Sequence, residues 1–431
     1  MTFQTSFIDH TPVRLIFGPG KLSALETEAL PGTKALLLTS NGTAMERAGI
    51  LPRVKTLLEG RGMPFVHLGV VEPNPLASTV QTVAEKMAEE GCDFLIALGG
   101  GSVMDCAKAA AIVHANGGHI WDYVQQGRGG RRPIEKLPTP IVAITTTAGT
   151  GSEVDAGGVI TNPETTEKVG VGHPGCIPRI AIVDPELMLS VPPHLTALQG
   201  FDALFHACEG YVTKRPNLMS DMFALESVRH LAAGLARAVK NGDDLDARTH
   251  VAFANTLSGF VMTLTRLTSQ HSMEHAMSAF HQELPHGAGL IMLSVAYFSH
   301  MIATGVYPER FVALARALGD SEAVHPQDFI KTLVALQRAC GVAELKMSDY
   351  GITEDELPQL AHKARGAGAA AFEQDAVALT FEDTVAIYRA AFHYFTDTAC
   401  VFLEEPIGFL NRSALYLFSS LFRKCSLLER E

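Results

Sequence analysis

Short apolar runs alternate with amphipathic stretches through the first part of the chain, up to about residue 190. Runs of this length, rich in β-branched residues, are typical of buried strands, and stretches such as Ala77–Glu90 are typical of surface helices. We predict strands at Lys34–Thr39, Phe65–Gly69, Asp93–Leu98, Ile141–Thr145 and Arg179–Val183. The alternation predicts an α/β domain with a largely parallel sheet covered by helices.

The strand pattern ends near Thr196, where helical periodicity takes over. The predicted helices are Asp202–Val212, Ser220–Lys240, Asp246–Leu267, His271–Phe280, Gly287–Ala303, Pro308–Leu318 and Pro326–Cys340. Because consecutive prolines interrupt regular structure, Pro192–Pro193 is the predicted junction. We therefore predict an α/β domain over residues 1–192, an all-α domain over residues 193–392 and a C-terminal extension over residues 393–431.

The composition indicates a globular protein with enough residues for two domains. Its 431 residues are 47% hydrophobic and 19% charged, which disfavours disorder. The formal net charge of −12 argues against binding to nucleic acids or anionic membranes, and no basic cluster offsets it. The seven cysteines lack C-x-x-C spacing, which favours reduced thiols. With no secretory signal pattern and no apolar run of the roughly 20 residues needed to span a bilayer, we expect a cytoplasmic protein.

Two glycine-rich segments directly follow predicted strands and are candidates for binding phosphate. Gly99–Ala109 reads GGGSVMDCAKA and leads into a helical pattern, and Thr145–Glu153 reads TTTAGTGSE. Glycines let the backbone approach a phosphate closely, and a helix N-terminus offers free N–H groups and a positive dipole end. Ser102 is the predicted helix cap and phosphate donor. The first segment matches neither the common dinucleotide fingerprint nor the Walker fingerprint, but two such loops at one edge of a sheet predict a cofactor crevice.

A cluster of histidines is the main chemical signal in the helical part. Gln270–His286 holds four histidines, and upstream Asp202 and His206 lie four residues apart. Residues four apart share one face of a helix, so the two segments together would surround a cation with a carboxylate and several imidazoles. Such a ligand set with an open position suits Fe(II) or catalytic Zn(II). Taken alone, Asp202 would more often be a helix N-cap, and the histidine array is what favours a metal.

Five motifs, in order along the chain, resemble those of the iron-containing (group III) alcohol dehydrogenases. They are VEPNP at Val71–Pro75, GGGSVMDCAK, PTPIVAITTTAGTGSEV, GFDALFHACEGYV and the H-x-x-x-H…PHG array. The resemblance runs from about Phe17 to about Phe392. It implies a dinucleotide-binding α/β domain followed by an all-α metal-binding domain, an architecture similar to that of dehydroquinate synthase. It also implies an NAD(P)-linked oxidoreductase that interconverts a small primary alcohol and its aldehyde, assembled as a homodimer or larger homo-oligomer.

Carried over position by position, the resemblance assigns the metal ligands and the surroundings of the cofactor. The implied ligands of Fe2+, which Zn2+ can replace, are Asp202, His206, His271 and His286. His275 is placed beside the nicotinamide and the substrate as the catalytic residue, a candidate proton relay. The implied cofactor residues are Gly99, Gly100, Gly101 and Ser102 at the pyrophosphate, with Asn74, Thr146, Thr147, Ser152 and Lys168 around them. Ser40 stands where many NAD-specific members carry an Asp that would repel a 2′-phosphate, so NADP is favoured over NAD.

Other interpretations stay open at this stage. The interval from His271 to His286 is one residue longer than is usual in the family, so His281 within it is a further candidate ligand. The same segment matches H-x-x-E-H, in which Glu274 would activate water in a metalloprotease, but a protease has no use for two nucleotide loops. Glu274 is instead expected to be solvated or paired. One remaining alternative is a metal- and NAD-dependent lyase of the related sugar-type branch, but the sequence lacks the cluster of basic residues that would bind an anionic substrate near the metal helices. The other is a non-catalytic metal- and nucleotide-binding protein.

The residues after Phe392 extend beyond the normal end of the family. They include the apolar stretch ALYLFSSLF, Ala414–Phe422, which is far too short to cross a bilayer. Every candidate site residue lies upstream of this extension. We therefore expect a segment without a catalytic role, which either packs loosely or forms a helix that docks on the helical domain or a neighbouring subunit. A membrane-surface role is the third alternative, which the small number of basic residues in the extension disfavours.

Overall fold

The protein is represented by a computed structural model that describes Phe7 and residues 9–393. Its strands are β1 (Arg14–Phe17), β2 (Ala35–Ser40), β3 (Phe65–Val71), β4 (Phe94–Gly99), β5 (Ile141–Thr145), β6 (Gly157–Asn162), β7 (Glu167–Gly172) and β8 (Ile180–Val183). Six strands form one parallel sheet in the order β1-β8-β5-β4-β2-β3. The other two, β6 and β7, pair as an antiparallel hairpin. The predicted parallel sheet is confirmed.

Helices make up most of the remaining described chain. Those of the first half are α1 (Ala44–Arg47), α2 (Ile50–Gly60), α3 (Ala77–Glu90), α4 (Gly101–Asn116) and α5 (Ile120–Tyr123). Those of the second half are α6 (Pro193–Val212), α7 (Leu218–Lys240), α8 (Leu245–Leu264), α9 (Ser269–Phe280), α10 (His286–Ala303), α11 (Pro308–Ala317), α12 (Gln327–Ala339), α13 (Leu357–Ala367), α14 (Ala369–Phe372) and α15 (Phe381–Phe392). Short 3-10 segments lie at Lys21–Glu26, Pro174–Cys176, Pro185–Met188, Met347–Tyr350 and Glu354–Glu356.

All five predicted strands are present, with ends that differ by no more than two residues. The apolar pattern missed β1, because this strand is only four residues long and none of them is fully buried. It also missed the hairpin of β6 and β7, because glycines interrupt the apolar alternation in GGVITN and EKVGVG. The sequence therefore predicts the centre of the sheet better than its edge and its appended hairpin.

All seven predicted helices are present, and the largest difference lies at the start of α6. This helix begins at Pro193, nine residues before its predicted start, because a proline fits the first turn, where no N–H partner is needed. Asp202 therefore lies inside the helix, and its interpretation as an N-cap is wrong. Among the described helices, α10 alone has the length and apolarity of a membrane span, but 72% of it is buried inside the protein, as in a core helix.

Both faces of the sheet are buried, which explains why its strands read as continuous apolar runs. Leu36 and Leu38 of β2 pack with residues of α3 and α4 in one core cluster. Leu37, which points to the other face, packs with residues of α2 in a second cluster. These two cores hold β2 and β4 side by side, with Leu36 of β2 opposite Leu95 of β4.

The strand order places a topological switch point between β2 and β4, where a ligand crevice is expected. The chain leaves β2 for β3 on the outer side and then returns to β4 on the inner side, so β2 and β4 are neighbours with diverging connections. Ligands bind in open α/β sheets at such a switch point, outside the carboxyl ends of the strands. Ser40 ends β2 and Gly99 ends β4, so two predicted cofactor positions flank this crevice.

Sheet and helices belong to one compact unit that ends at His393. The predicted boundary between residues 192 and 193 falls where α6 begins, and as a domain boundary it stays a prediction. From Tyr394 onward the predicted extension, with its stretch Ala414–Phe422, lies outside the described residues.

Candidate metal and nucleotide site

Three histidine side chains converge on a single carboxylate oxygen in the helical part of the molecule. The Nε2 atoms of His206, His271 and His286 each lie 3.5 Å from Oδ1 of Asp202. Asp202 and His206 belong to α6, His271 to α9, and His286 is the first residue of α10. Asp202, His271 and His286 offer ligand atoms that all lie within 4.8 Å of one another. The fold thus brings together the four residues predicted as metal ligands.

In each of these histidines, the ring nitrogen Nδ1, which faces away from Asp202, bonds an oxygen acceptor. Nδ1 of His206 donates to the carbonyl oxygen of Gly149 at 3.2 Å. Nδ1 of each other ring bonds a buried carboxylate, Glu209 behind His271 and Glu274 behind His286. Because carbonyl and ionised carboxylate oxygens only accept, Nδ1 carries the proton, and Nε2 of a neutral ring directs its lone pair to the centre. Metal-binding histidines are typically oriented in this way.

Two buried atoms at the centre lack a hydrogen-bond partner, Oδ1 of Asp202 and Nε2 of His271. An unpaired buried polar atom costs about 1–3 kcal/mol, and a bound cation would satisfy both. The carboxylates of Asp202, Glu209 and Glu274 outnumber the one nearby ammonium group, that of Lys168, which lies 3.6 Å from Glu274. This surplus of negative charge, with one carboxylate and three imidazoles as ligands, fits a divalent ion such as iron(II) or zinc(II).

The charges of the cluster favour an ionised Asp202. Burial alone would raise the pKa of Asp202, but His206, His286 and His271 outweigh it and hold this pKa below its usual value. Burial also opposes a charge on His271, yet Glu209 and Asp202 raise the pKa of this ring to about 10. His271 must therefore release a proton before its Nε2 can bind a metal, so metal binding at this site is coupled to proton release.

Close packing of α10 against α6 and α9 fixes the position of His286. A side chain at Gly287 would collide with the backbone of Leu198 in α6, so only glycine permits this approach. A Cβ at Gly289 would lie 2.7 Å from Cγ of Glu274, the residue that orients His286. The two glycines of the sequence PHGAG therefore permit the close packing that brings His286, the first residue of α10, to the histidine cluster.

His275 lies beside the cluster, whereas His281 takes no part in it. The ring of His275 is 5.3 Å from that of His286 and 6.2 Å from that of His271. Burial, followed by the charge of Lys168, lowers the pKa of His275 well below its usual value, so this ring is neutral near pH 7. His281 bonds Glu356 at 2.8 Å and belongs to neither group of described residues that could hold a metal.

The turn after β4 has the features of a phosphate-binding loop. Gly100 is extended and precedes α4, which begins at Gly101, so the free N–H groups of the helix follow the turn at once. Gly100, without a side chain, occupies the N-cap, and Ser102 lies within the first turn. The prediction that Ser102 caps the helix is therefore wrong, because the N-cap lies two residues earlier, at Gly100. Its hydroxyl group still lies at the helix N-terminus.

Thr146 and Thr147 join this glycine turn from the next strand. The backbone N–H of Thr146 donates to the carbonyl oxygen of Gly99 at 3.0 Å. Thr147 lies so close to Gly100 that a Cβ there would be 2.7 Å from its hydroxyl oxygen. With Ser40 at the end of the adjacent strand β2, the fold gathers these predicted cofactor residues at the carboxyl edge of neighbouring strands.

The other three predicted cofactor residues are engaged with protein groups. Asn74 donates to the carbonyl oxygen of Gln282 at 3.5 Å, and Lys168 donates to Ser278 at 2.9 Å. The hydroxyl group of Ser152 donates to Asp105 at 2.9 Å and accepts from the ammonium group of Lys108 at 2.8 Å. Lys168, on β7, therefore lies against α9 beside the metal cluster. Contacts of these three side chains with a cofactor stay predictions.

Two carboxylates of the site were missed or misjudged from the sequence. Glu209 carried a usable signal, because it lies three residues after His206 and seven after Asp202 on the same helical face. Glu274 is fully buried and paired with His286 and Lys168, so its expected solvation is wrong and its expected pairing is confirmed. Because these partners occupy its Oε2, Glu274 does not resemble the free general base of a metalloprotease.

Comparison with known proteins identifies the family of the chain. The family model of the iron-containing alcohol dehydrogenases matches residues 12–185, and the model of the C-terminal region of the Fe-containing alcohol dehydrogenase family matches residues 196–392. The 1,3-propanediol dehydrogenase of Citrobacter freundii is 33% identical over 81% of this chain and 89% of its own length. The NAD-dependent methanol dehydrogenase of Bacillus methanolicus is 33% identical over 79% of this chain and 86% of its own length.

Solved structures give the same result. The crystal structure of an archaeal halo-thermophilic alcohol dehydrogenase from a Red Sea brine pool superposes with a TM-score of 0.86 and 33% identity, covering 90% of this chain and all of that one. A crystal structure of 1,3-propanediol oxidoreductase superposes with a TM-score of 0.80 and 29% identity, covering 88% of this chain and 97% of that one. The chain therefore belongs to the iron-containing alcohol dehydrogenases and is an enzyme that interconverts alcohols and aldehydes.

Proposed function

We propose that this enzyme acts on small primary alcohols and their aldehydes with a divalent metal bound by Asp202, His206, His271 and His286. The observation that carries the proposal is the convergence of three imidazole Nε2 atoms on one unpaired, buried carboxylate oxygen. Relatives named for methanol, butanol and 1,3-propanediol favour a small substrate with a primary hydroxyl group. Iron(II) is the proposed resident metal, because the family is iron-containing, and zinc(II) suits the same ligands.

The residues of the proposed site have separate roles in the reaction. When bound, the metal supplies Lewis acidity towards the substrate oxygen, and the nicotinamide supplies the acceptor or donor of hydride. Glu209 and Glu274 hold the rings of His271 and His286 in position through Nδ1. His275, neutral and beside the cluster, takes up on a ring nitrogen the proton that leaves the alcohol and returns it in the reverse direction.

We propose that NAD or NADP binds in the crevice between β2 and β4, with its pyrophosphate on the turn Gly99–Ser102. The free N–H groups at the start of α4 favour an anion at this turn. Asn74, Thr146, Thr147, Ser152 and Lys168 complete the proposed cofactor site. Ser40 brings no negative charge to the end of β2, which favours NADP, although one relative is named as NAD-dependent.

The association state and the cellular location of the enzyme are also proposals. We infer a homodimer or larger homo-oligomer in the cytoplasm. A reducing compartment suits the cysteines of the described residues, of which five are free and buried. The net charge of −12 favours a dissolved enzyme over one attached to nucleic acid or to an anionic membrane.

A spectrophotometric assay of cofactor reduction tests the proposed function. The purified protein is stripped of metal with a chelator, reloaded with Fe(II) or Zn(II) and supplied with NAD+ or NADP+. The panel contains methanol, ethanol, butanol and 1,3-propanediol, with a carboxylated alcohol and a sugar as controls. We expect turnover of primary alcohols by the reloaded protein and little by the stripped one. Equal rates with and without metal, or no turnover of any primary alcohol by metal-loaded protein, would contradict the proposal.

A further inference from the structure

One segment touches both the nucleotide turn and the metal ligands. Residues 145–153, here called the linking loop, run from the end of β5 towards the helical part of the chain. At its start, Thr146 bonds the carbonyl oxygen of Gly99, and Thr147 packs against Gly100. Thr150 lies close enough to Gly101 that a Cβ there would be 2.8 Å from its hydroxyl oxygen. The proposed phosphate turn is therefore shaped on one side by threonines of the linking loop.

The middle of the linking loop lies against the helix that carries two metal ligands. The carbonyl oxygen of Gly149 accepts the Nδ1 proton of His206 at 3.2 Å. A Cβ at Gly149 would lie 3.2 Å from Oδ2 of Asp202 and 3.0 Å from the carbonyl oxygen of Gln199. A shift of the loop backbone at Gly149 would therefore change the hydrogen bond that orients His206, and the space beside Asp202 is too small for a side chain at this position.

The end of the linking loop is clamped to α8 by buried side chains. Oδ1 of Asn255 accepts the backbone N–H of Gly151 at 2.8 Å, and its Nδ2 donates to Glu153 at 2.9 Å. Thr256 donates to the same oxygen of Glu153 at 2.7 Å. Asn255, Thr256 and Glu153 are each only 1% exposed. Gly151 has a φ of +61° and packs directly on Gly259, so the backbone has no room to move towards α8.

We propose that Asn255 and Glu153 are positioning residues that couple nucleotide binding to metal binding through the linking loop. Neither residue belongs to the proposed metal ligands or to the proposed phosphate turn. Asn255 and Glu153 fix the end of the linking loop at Gly151 and Glu153. When a nucleotide orders the phosphate turn, the fixed loop therefore also orders the carbonyl group of Gly149, which orients His206. Coupling of this kind is reciprocal, so each ligand must tighten the other by the same factor. The proposal rests on the proposed function, because it takes its metal and nucleotide sites from there.

The test measures metal affinity with and without a nucleotide that cannot reach the metal. Zinc-loaded full-length protein is equilibrated against a graded series of chelator, alone or with saturating ADP-ribose or its 2′-phosphate. These probes carry the pyrophosphate but no nicotinamide ring, so direct contact between cofactor and metal is excluded. We expect the better-bound probe to tighten zinc binding by about 5- to 150-fold, the usual range for coupled sites. Zinc should tighten binding of the probe by the same factor.

Four variants distinguish positioning from simple support of the fold. Asn255→Ala removes both bonds to the loop and should bring the coupling factor close to one, while each ligand alone still binds. Glu153→Gln keeps an oxygen that can accept from Asn255 and Thr256, and should retain the factor. Thr256→Val removes one bond without changing the shape of the side chain and should give an intermediate factor. Ser227→Ala is the matched control, because it deletes a buried hydrogen bond to the carbonyl oxygen of Ala254 on the same helix.

The outcomes separate failure of the coupling from failure of the proposed sites. Wild-type protein that binds zinc and ADP-ribose with a factor of one overturns the coupling and leaves the sites intact. An unchanged factor in Asn255→Ala, or in Thr256→Val if the first variant does not fold, overturns the role of the clamp. Wild-type protein that binds no zinc, or neither probe, overturns the proposed function together with the inference.

Discussion

At the scale of single residues, the metal site depends on groups that would not touch the metal. Glu209, Glu274 and the carbonyl oxygen of Gly149 each fix one imidazole through Nδ1. These three acceptors differ in charge, because two are carboxylates and one is a neutral carbonyl. Hydrogen bonds to carboxylates raise the basicity of an imidazole ligand, so we expect His271 and His286 to bind the metal more strongly than His206.

His271→Ala should remove most of the metal together with most of the activity. The variant loses one of the nitrogens that converge on Asp202 and leaves the buried carboxylate of Glu209 without its partner. The measurement is elemental analysis of the purified protein, with turnover of a primary alcohol as the second readout. His281→Ala is the control, because His281 bonds Glu356 outside the cluster and its loss should leave the metal in place. Stoichiometric metal in His271→Ala would show that His271 is not a ligand.

Ser40→Asp should weaken binding of NADPH more than binding of NADH. The substitution places a negative charge at the end of β2, where the proposed crevice would hold a 2′-phosphate. Repulsion should cost on the order of 1–3 kcal/mol for NADPH in a partly shielded position. Dissociation constants from cofactor fluorescence give the comparison, and Ser321→Asp, in the exposed loop before α12, is the control. If both cofactors lose the same affinity, Ser40 is not at the 2′-position.

The sequence pointed to the four converging residues through the family resemblance, and helical spacing supported it for the pair in α6. Asp202 and His206 are one helical turn apart, so their common face follows from the sequence alone. It could not identify the partner of Glu274, because His286 lies on a different helix and their contact depends on how closely α10 packs. The same limit applies to Lys168, which reaches α9 only because β7 belongs to a hairpin that the apolar pattern did not reveal.

At the scale of elements, local chemistry explains where helices begin even when periodicity does not. Pro193 starts α6 well before its apolar pattern is evident, and Gly100 rather than Ser102 precedes α4. The central strands were easier to predict than the helix ends, because burial on both faces of a parallel sheet makes each of these strands a continuous apolar run. Apart from β7, which carries Lys168, the elements that carry the site were predicted from the sequence, and their ends are the least predictable part.

The start of α12 provides a prediction about pH and stability. Asp328 accepts the backbone N–H groups of Val324 and His325 at 3.0 and 2.9 Å and pairs with Lys331 at 2.9 Å. Burial alone would raise the pKa of Asp328, but Lys331 and the two N–H groups outweigh it and lower this pKa to about 2. Because the folded-state pKa lies below the ordinary value of 3.8, the charge stabilises the fold above about pH 4, and this stabilisation is lost as the pH falls towards 2.

Asp328→Asn should therefore lower the free energy of unfolding at pH 7, on the order of 1 kcal/mol. The difference from the wild type should shrink steadily below pH 4. Urea denaturation at a series of pH values measures it, and Asp349→Asn, which changes an exposed carboxylate elsewhere, is the control. A difference that stays constant between pH 7 and pH 3 would show that the effect does not come from the charge of Asp328.

At the scale of the whole molecule, the site lies where the sheet-bearing and helical parts meet. β4 and β5 supply the glycine turn and the linking loop, and α6, α9 and α10 supply the proposed metal ligands. Neither part holds both groups of residues, so turnover requires the two parts to keep their relative position. The contacts of Gly149 with His206, and of Asn255 with Gly151 and Glu153, are among those that join them.

This arrangement leads to a prediction about the C-terminal extension. A variant that ends at Phe392, the last residue of α15, keeps every residue proposed to bind metal, cofactor or substrate. It also keeps the linking loop and its clamp. Metal content, cofactor affinity and turnover of the truncated protein should therefore stay close to those of the full chain, and its folding can be checked by circular dichroism.

The association state is the property that truncation is expected to change. The removed stretch Ala414–Phe422, ALYLFSSLF, is apolar and aromatic, and such a stretch is avoided on the exposed surface of soluble monomers. Sedimentation velocity of the two proteins at matched concentrations measures the difference, and Leu415→Asp with Phe418→Asp in the full chain tests whether the apolar side chains themselves are responsible. If the truncated protein is folded and metal-loaded yet inactive, the extension must contribute to the active site, because the loss could not come from the described residues.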